Sequence, residues 1–241
     1  LLLLYMRWPG RVLGAGEKPP SAILAFVGDQ IDAPAKAFDD YARRDETRRG
    51  HLADLMQRFG YTAFDRNHFR AIVAFAMPVA QTVAQPILLA GIVIDELRRR
   101  RVLLPPSPVI EAIVRHARRQ AEQLTHEILT NGVELDKLTA LDALLTRRSD
   151  QGTTWLAWLR NAPQSPAPRN ILRLLERLNH VRTLGLDRAR AAIIPSATFD
   201  RLADEAVRIT PQHLGELTPL RRHATLAAAT IRLEESLTDA A

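Results

Sequence analysis

The stretch Pro168-Arg-Asn-Ile-Leu-Arg-Leu-Leu-Glu-Arg-Leu178 decides the fold class, because its apolar residues Ile171, Leu174, Leu175 and Leu178 recur three and four positions apart, as one face of a helix requires. Leu52, Leu55, Met56 and Phe59 repeat the pattern upstream, and alternating strand-like runs are hard to find. The chain therefore reads as all-α, built from tandem small helical modules. Breakers divide it at Pro9-Gly10, Pro19-Pro20, Pro105-Pro106 with Pro108, Asn131-Gly132, Pro163 to Pro168, Pro195 and Pro211. Between them fit about a dozen helices of ordinary length. The Pro-rich turn after Arg101 and the Leu184-Gly185-Leu186 stop predict three parts: modules over 1–101 and 102–185, and a helical connector over 186–241.

Residues 71–94 carry no charge and end against Arg98 to Arg101, the outline of a membrane span with a positive flank. Pro78, Pro86, Gln81, Gln85 and Thr82 instead predict two buried helices broken at the prolines. The arginine run fits the C-terminal dipole of a helix as well as it fits DNA.

Of 241 residues 46% are hydrophobic, enough to bury cores in one large or several small domains. Among the 33 basic residues only Lys18, Lys36 and Lys137 are lysines. Arginine grips phosphates bidentately and stacks on bases, so the bias points towards nucleic acid, although a GC-rich genome produces the same bias. The charge is +4 over residues 1–101 (15 basic, 11 acidic), +3 over 102–184 (11 and 8) and −1 over 185–241 (7 and 8). With no cysteine, disulfides, thiol catalysis and cysteine-based zinc sites are excluded from these residues, and a cytosolic compartment is expected. The opening run Leu1 to Leu4 has neither a basic leader nor a cleavage site and reads as a cut inside a helix.

Two basic clusters carry the functional reading. In Tyr41-Ala-Arg-Arg-Asp-Glu-Thr-Arg-Arg-Gly-His51 the pairs Arg43, Arg44 and Arg48, Arg49 bracket Thr47, which is placed as a helix N-cap. Helices over 21–31 and 34–42, joined by a tight Asp32-Ala33-Pro34 turn, precede it. Three short helices with basic residues entering the third is the layout of a helix-turn-helix unit, whose third helix would offer Arg48, Arg49 and His51 to a groove. The competing reading is a solvated face paired with Asp39, Asp40, Asp45 and Glu46. The second cluster starts at Trp155-Leu-Ala-Trp158-Leu-Arg160 and runs to Arg190, with seven arginines against Glu176 and Asp187 between 155 and 190. Arg169, Arg173 and Arg177 are spaced i, i+4, i+8 and predict one stripe, with Leu172, Leu175 and Leu178 facing elsewhere. Such a stripe neutralises phosphates, while Ser165, Arg169 and Asn170 near the helix start are placed to reach bases, with Arg182 extending the basic surface. Trp155 and Trp158 read as core anchors. Arg221-Arg222-His223 fits either a phosphate contact or a solvated face.

Signals for catalysis fail. Gly14-Ala-Gly-Glu-Lys18 lacks the Gly-Lys-Ser/Thr ending of a phosphate loop, and the start of a zinc-protease motif at His126-Glu127 breaks at Thr130. Glu122 and His126, one turn apart, are too few for a metal. This segment reads as non-catalytic.

Several motifs together resemble the N-terminal region of the Tn-three family of bacterial transposases. They are Met6 to Gly14, Tyr41-Ala-Arg-Arg-x-x-Thr-Arg-Arg-x-His51-Leu and Arg99-x-x-Val-Leu-Leu-Pro-Pro106. Trp158-Leu-Arg160, Leu174-Leu-Glu-Arg-Leu178, Arg182-x-Leu-Gly-Leu186, Arg222-x-Ala-x-Leu226 and Leu237-Thr-Asp239 follow. Gly50 departs from the family, whose members usually carry Glu there. The resemblance implies recognition of transposon terminal inverted repeats in double-stranded DNA, in the bacterial cytoplasm at the nucleoid. It also implies a longer protein whose ribonuclease-H-like domain, with an Asp-Asp-Glu triad and Mg2+, cleaves and joins strands; no cofactor is expected in this segment. The implied partners are DNA, the remainder of the transposase and a second copy. The alternative reading is a helical dimerisation scaffold of the transposition complex, or a stand-alone degenerate DNA-binding relic.

Overall fold

A computed structural model describes residues 1–14, 16–41, 45–148, 152–162 and 167–240. The described residues form helices α1 (Leu2–Arg7), α2 (Ser21–Ile31), α3 (Ala37–Tyr41), α4 (Asp45–Phe59), α5 (Arg66–Ala80), α6 (Pro86–Arg99) and α7 (Ser107–Thr130). There follow α8 (Leu135–Ala143), α9 (Trp155–Arg160), α10 (Pro168–Thr183), a 3-10 turn (Arg188–Ile193), α11 (Ser196–Arg208), α12 (Pro211–Glu216) and α13 (Pro219–Ala240). The all-α class is thus as the periodicity indicates, and no helix among the described residues is long and apolar enough to cross a membrane. Prolines open α6, α10 and α12 at their first helical positions, where the missing N–H costs nothing.

The chain divides into two compact units, Leu1–Ala117 and Arg118–Ala241, with the division inside α7. This differs from boundaries at 101 and 185, for reasons visible in each core. In the first unit, Ile72, Val73 and Ala76 of α5 and Leu89, Val93 and Leu97 of α6 enclose a core that Val102 and then Ile113, Val114 and Ala117 of α7 complete. The prolines at 105 and 106 stop a helix without ending the hydrophobic cluster. In the second unit, Leu226, Ala227 and Leu237 of α13 share a core with Leu174, Leu178 and Val181 of α10, so residues beyond 185 close that core rather than lead away from it. Residues 224–231 of α13 are buried without interruption. Leu226 and Ala227 face the α10 cluster, while Ala224, Ala228 and Ile231 face Phe199, Leu202 and Ala203 of α11. A helix buried all round needs small side chains, which accounts for its alanines.

The arginine run closing α6 is bonded within the chain, although Arg99, Arg100 and Arg101 remain exposed. Arg98 donates from Nε and Nη2 to the Pro9 carbonyl (3.0 and 2.8 Å), and its guanidinium lies 4.0 Å from the Trp8 ring centroid. Arg101 donates to the Phe59 carbonyl (2.8 Å). Arg99 and Arg100 both bind the buried carboxylate of Glu96, at 2.7 and 2.6 Å. The Arg99 hydrogen bonds, helped by those of Arg100, hold Glu96 down to about 2 against the opposing effect of burial. Its folded value lies below its ordinary 4.5, so its contribution to stability is present above pH 4.5 and drains away as pH falls towards 2. Glu17, also held at about 2, first by Arg11 and then by the Gly14 N–H, works in the same window. Acid titration of Glu96→Gln should therefore lose a smaller share of its first-unit stability between pH 4.5 and 2 than wild type does, as monitored by circular dichroism.

Two glycines give opposite predictions. Asp32 is left-handed (φ 50), and the Ala33 N–H turns back to the Gly28 carbonyl at 3.0 Å, so a Cβ on Gly28 would stand 2.5 Å from the Ala33 oxygen. Gly28→Ala should destabilise the first unit by about 1–3 kcal/mol, because that neighbour is backbone and cannot rotate away. At exposed Gly50 in α4 an added Cβ meets nothing within 4 Å, and Gly50→Ala should stabilise by up to about 1 kcal/mol. Thermal melts of the two variants shifting in the same direction would contradict this assignment.

Candidate nucleic-acid interface

The second basic cluster is organised by two tryptophans. Thr154 caps α9 by accepting the Ala157 N–H, which leaves Trp158 buried, with Trp155 edge-on to it at 5.6 Å. Cationic groups stack on this pair: Arg148 lies 4.6 and 4.2 Å from the Trp155 and Trp158 centroids, and Arg177 lies 4.6 Å from that of Trp158. The His180 ring is parallel to Trp155 at 4.6 Å. Burial, reinforced by Arg148, pushes His180 below the ordinary imidazole value and so favours a neutral ring near pH 7.

Arg177 corrects the expected stripe. It is 7% exposed, and its guanidinium donates to the carbonyls of Trp158 (3.1 Å), Asn161 (3.2 Å) and Arg173 (3.0 Å). Burial lowers its pKa without threatening its charge. The inward face of α10 is thus Leu174, Arg177, Leu178 and Val181, and the helix is rotated from the face expected to be apolar: Leu178 is buried but Leu172 and Leu175 are exposed. Arg169 and Arg173 do project outward, and neither makes an ion pair or side-chain hydrogen bond among the described residues. Exposed Arg182 lies 3.5 Å from Glu234, which also binds Arg188 at 2.8 Å. Asn170 is half-buried. Arg160 is half-buried too, pointing Nη1 at the Ile209 carbonyl (3.4 Å), with burial lowering its pKa. It braces α9 against the end of α11 rather than facing outward. Arg222 and His223 are likewise internal, both binding Asp142 of α8, at 2.8 and 3.1 Å.

In the first cluster Thr47 is not an N-cap, since α4 already runs from Asp45 and places Thr47 inside its first turn. Arg48 is turned inward at 9% exposure, near Glu17 and Tyr41, and so is not offered to a groove. Arg49 and His51 are exposed, and the His51 ring stacks on Tyr41 (5.7 Å, 12°) with a 3.0 Å hydrogen bond between its Nδ1 and the Tyr41 hydroxyl. Arg43, Arg44 and Ser165 lie outside the described residues. Arg66 and Arg70 lie outside both basic clusters of the sequence, and both are exposed at the start of α5, where Asp65 caps the helix by accepting the His68 N–H at 2.8 Å. Their sequence signal is the Asp-Arg-Asn-x-x-Arg pattern of a capped basic helix start.

Residues 1–117 match a family model described as a domain of unknown function (DUF4158), the same span as the first compact unit. Over 237 residues, 98% of this chain and 24% of the relative, the sequence is 33% identical to the transposase for transposon Tn21 of Escherichia coli. Over nearly its whole length the chain is similar to Tn21-type transposases. The transposase for transposon Tn501 of Pseudomonas aeruginosa is 31% identical over the same length, and that for Tn1546 of Enterococcus faecium is 23% identical over 241 residues. In each case this chain spans about a quarter of the relative, 24%. The motif likeness to transposases therefore extends through both compact units. The outward guanidiniums of Arg169 and Arg173 are suited to phosphate oxygens or guanine edges, whereas those of Arg98, Arg160 and Arg177 hold backbone carbonyls.

Proposed function

We propose that this chain binds duplex DNA at the terminal inverted repeats of a transposon, acting as a recognition segment of a transposase in the bacterial cytoplasm. The observation that carries the reading is the pair Arg169 and Arg173, exposed and without an ion pair or side-chain hydrogen bond among the described residues, on a helix whose opposite face is locked into a core. Exposed cations that are not ion-paired release counterions on meeting phosphates, a source of affinity that an ion-paired surface has already spent internally. Arg49, His51, Arg66 and Arg70 of the first unit extend the basic surface. The strand-transfer chemistry, with its metal, is assigned to the remainder of such a transposase. Band shifts of this chain on the terminal repeat of its own transposon against a scrambled duplex, at moderate salt, test the reading. At least tenfold preference for the repeat is the expected result, and equal affinity overturns the specificity.

A second reading has its own support. Ile171, Leu172 and Leu175 on α10 are 38%, 69% and 41% exposed, a cluster that a dimerisation scaffold would cover. Light scattering separates the readings: dimerisation without DNA favours the scaffold, and a monomer that shifts duplex favours recognition.

A further inference from the structure

We infer that the outward face of α10 reads base edges in the DNA major groove, with Leu172 packed on a thymine C5-methyl between the guanidiniums of Arg169 and Arg173. The inference rests on the DNA-binding reading above and assigns its specificity. Arg169, Leu172, Arg173 and Glu176 follow one another at i, i+3, i+4 and i+7, so they share one face, and all four are exposed. Leu174, Leu178 and Val181 fix that face outward by burying the opposite side. An α-helix with its side chains is about 10–12 Å across and fits the roughly 12 Å major groove.

The chemistry of the face selects DNA over a protein partner. Covering Leu172 with an apolar surface would strip water from two unpaired guanidiniums on either side of it. In the major groove those guanidiniums meet guanine O6 and N7 or phosphate, and the leucine meets the one apolar group that bases offer there, the thymine methyl. Glu176, one turn further on, would be repelled by phosphate and is suited to accept from a cytosine amino group. The N-terminal half of α10 therefore approaches the backbone more closely than the C-terminal half.

The test uses the full chain and the duplex that it selects from a randomised pool. A fixed A·T pair should appear in the selected site. Replacing that thymine by uracil, which removes only the methyl, should weaken wild type about fourfold. Leu172→Ala should weaken binding to the thymine duplex by a similar factor and no longer distinguish thymine from uracil. Because Leu172 is exposed, its melting temperature should stay at the wild-type value. A site without a fixed A·T pair, wild-type indifference to uracil, or retained discrimination in Leu172→Ala each overturns the inference. Unchanged DNA binding with lost self-association would assign the face to protein docking instead. If no duplex is enriched, the DNA-binding reading itself falls, and the inference with it.

Discussion

Arg177→Ala is expected to cost the second unit about 3–5 kcal/mol while Arg169→Ala costs almost nothing, although the two arginines lie on one helix at the i, i+8 spacing of a single stripe. The guanidinium of Arg177 satisfies the carbonyls of Trp158 and Asn161, which belong to α9 and the residue following it, and also caps the Trp158 ring. Truncation strips both carbonyls of a charged donor, at about 1–3 kcal/mol each where water cannot replace it, removes a cation–π contact and leaves a cavity. Arg177→Lys keeps the charge but cannot reach two divergent carbonyls with one ammonium, so it should recover only part of the loss. Urea unfolding followed by tryptophan fluorescence in a Trp8→Phe background reports on Trp155 and Trp158 alone. An unchanged midpoint with weakened DNA binding would return Arg177 to the outer surface.

The contrast explains what the sequence could and could not disclose. Helix boundaries were legible because prolines mark them chemically: α7, α10, α11 and α12 all begin at or next to a proline-governed turn. The rotation of α10 was not legible. Leucines at 172, 174, 175 and 178 populate both faces, so two apolar stripes fit the same residues, and the arginine that breaks the tie does so through backbone carbonyls, which every residue has. Arg98, Arg101 and Arg160 repeat the lesson, since each donates to a carbonyl remote in sequence. Acidic partners were little easier, because Asp142 lies 80 residues from Arg222 and Glu234 lies 46 from Arg188. Among the described residues the arginines thus divide into a structural set and an outward set, a division that only three-dimensional contacts make.

That division sets the largest functional effect. The double variant Arg169→Ala/Arg173→Ala should lose duplex affinity on the order of 100-fold, since each outward arginine contributes about 1–2 kcal/mol through phosphate or guanine contacts. Its melting temperature should remain at the wild-type value, because neither side chain has a partner among the described residues to lose. Salt dependence then separates the two kinds of contact. If both arginines grip phosphate, the slope of log affinity against log salt becomes shallower by about 2. If one reads a guanine edge, the slope changes by about 1 and preference for the repeat over scrambled DNA narrows, because a base contact carries sequence information and a phosphate contact does not. Arg173→Lys discriminates further: a phosphate site tolerates a point charge, whereas a bidentate guanine site loses its second hydrogen bond. A double variant that binds as tightly as wild type would move recognition off α10, leaving the outward arginines at the starts of α4 and α5, Arg49, Arg66 and Arg70, as the next residues to remove.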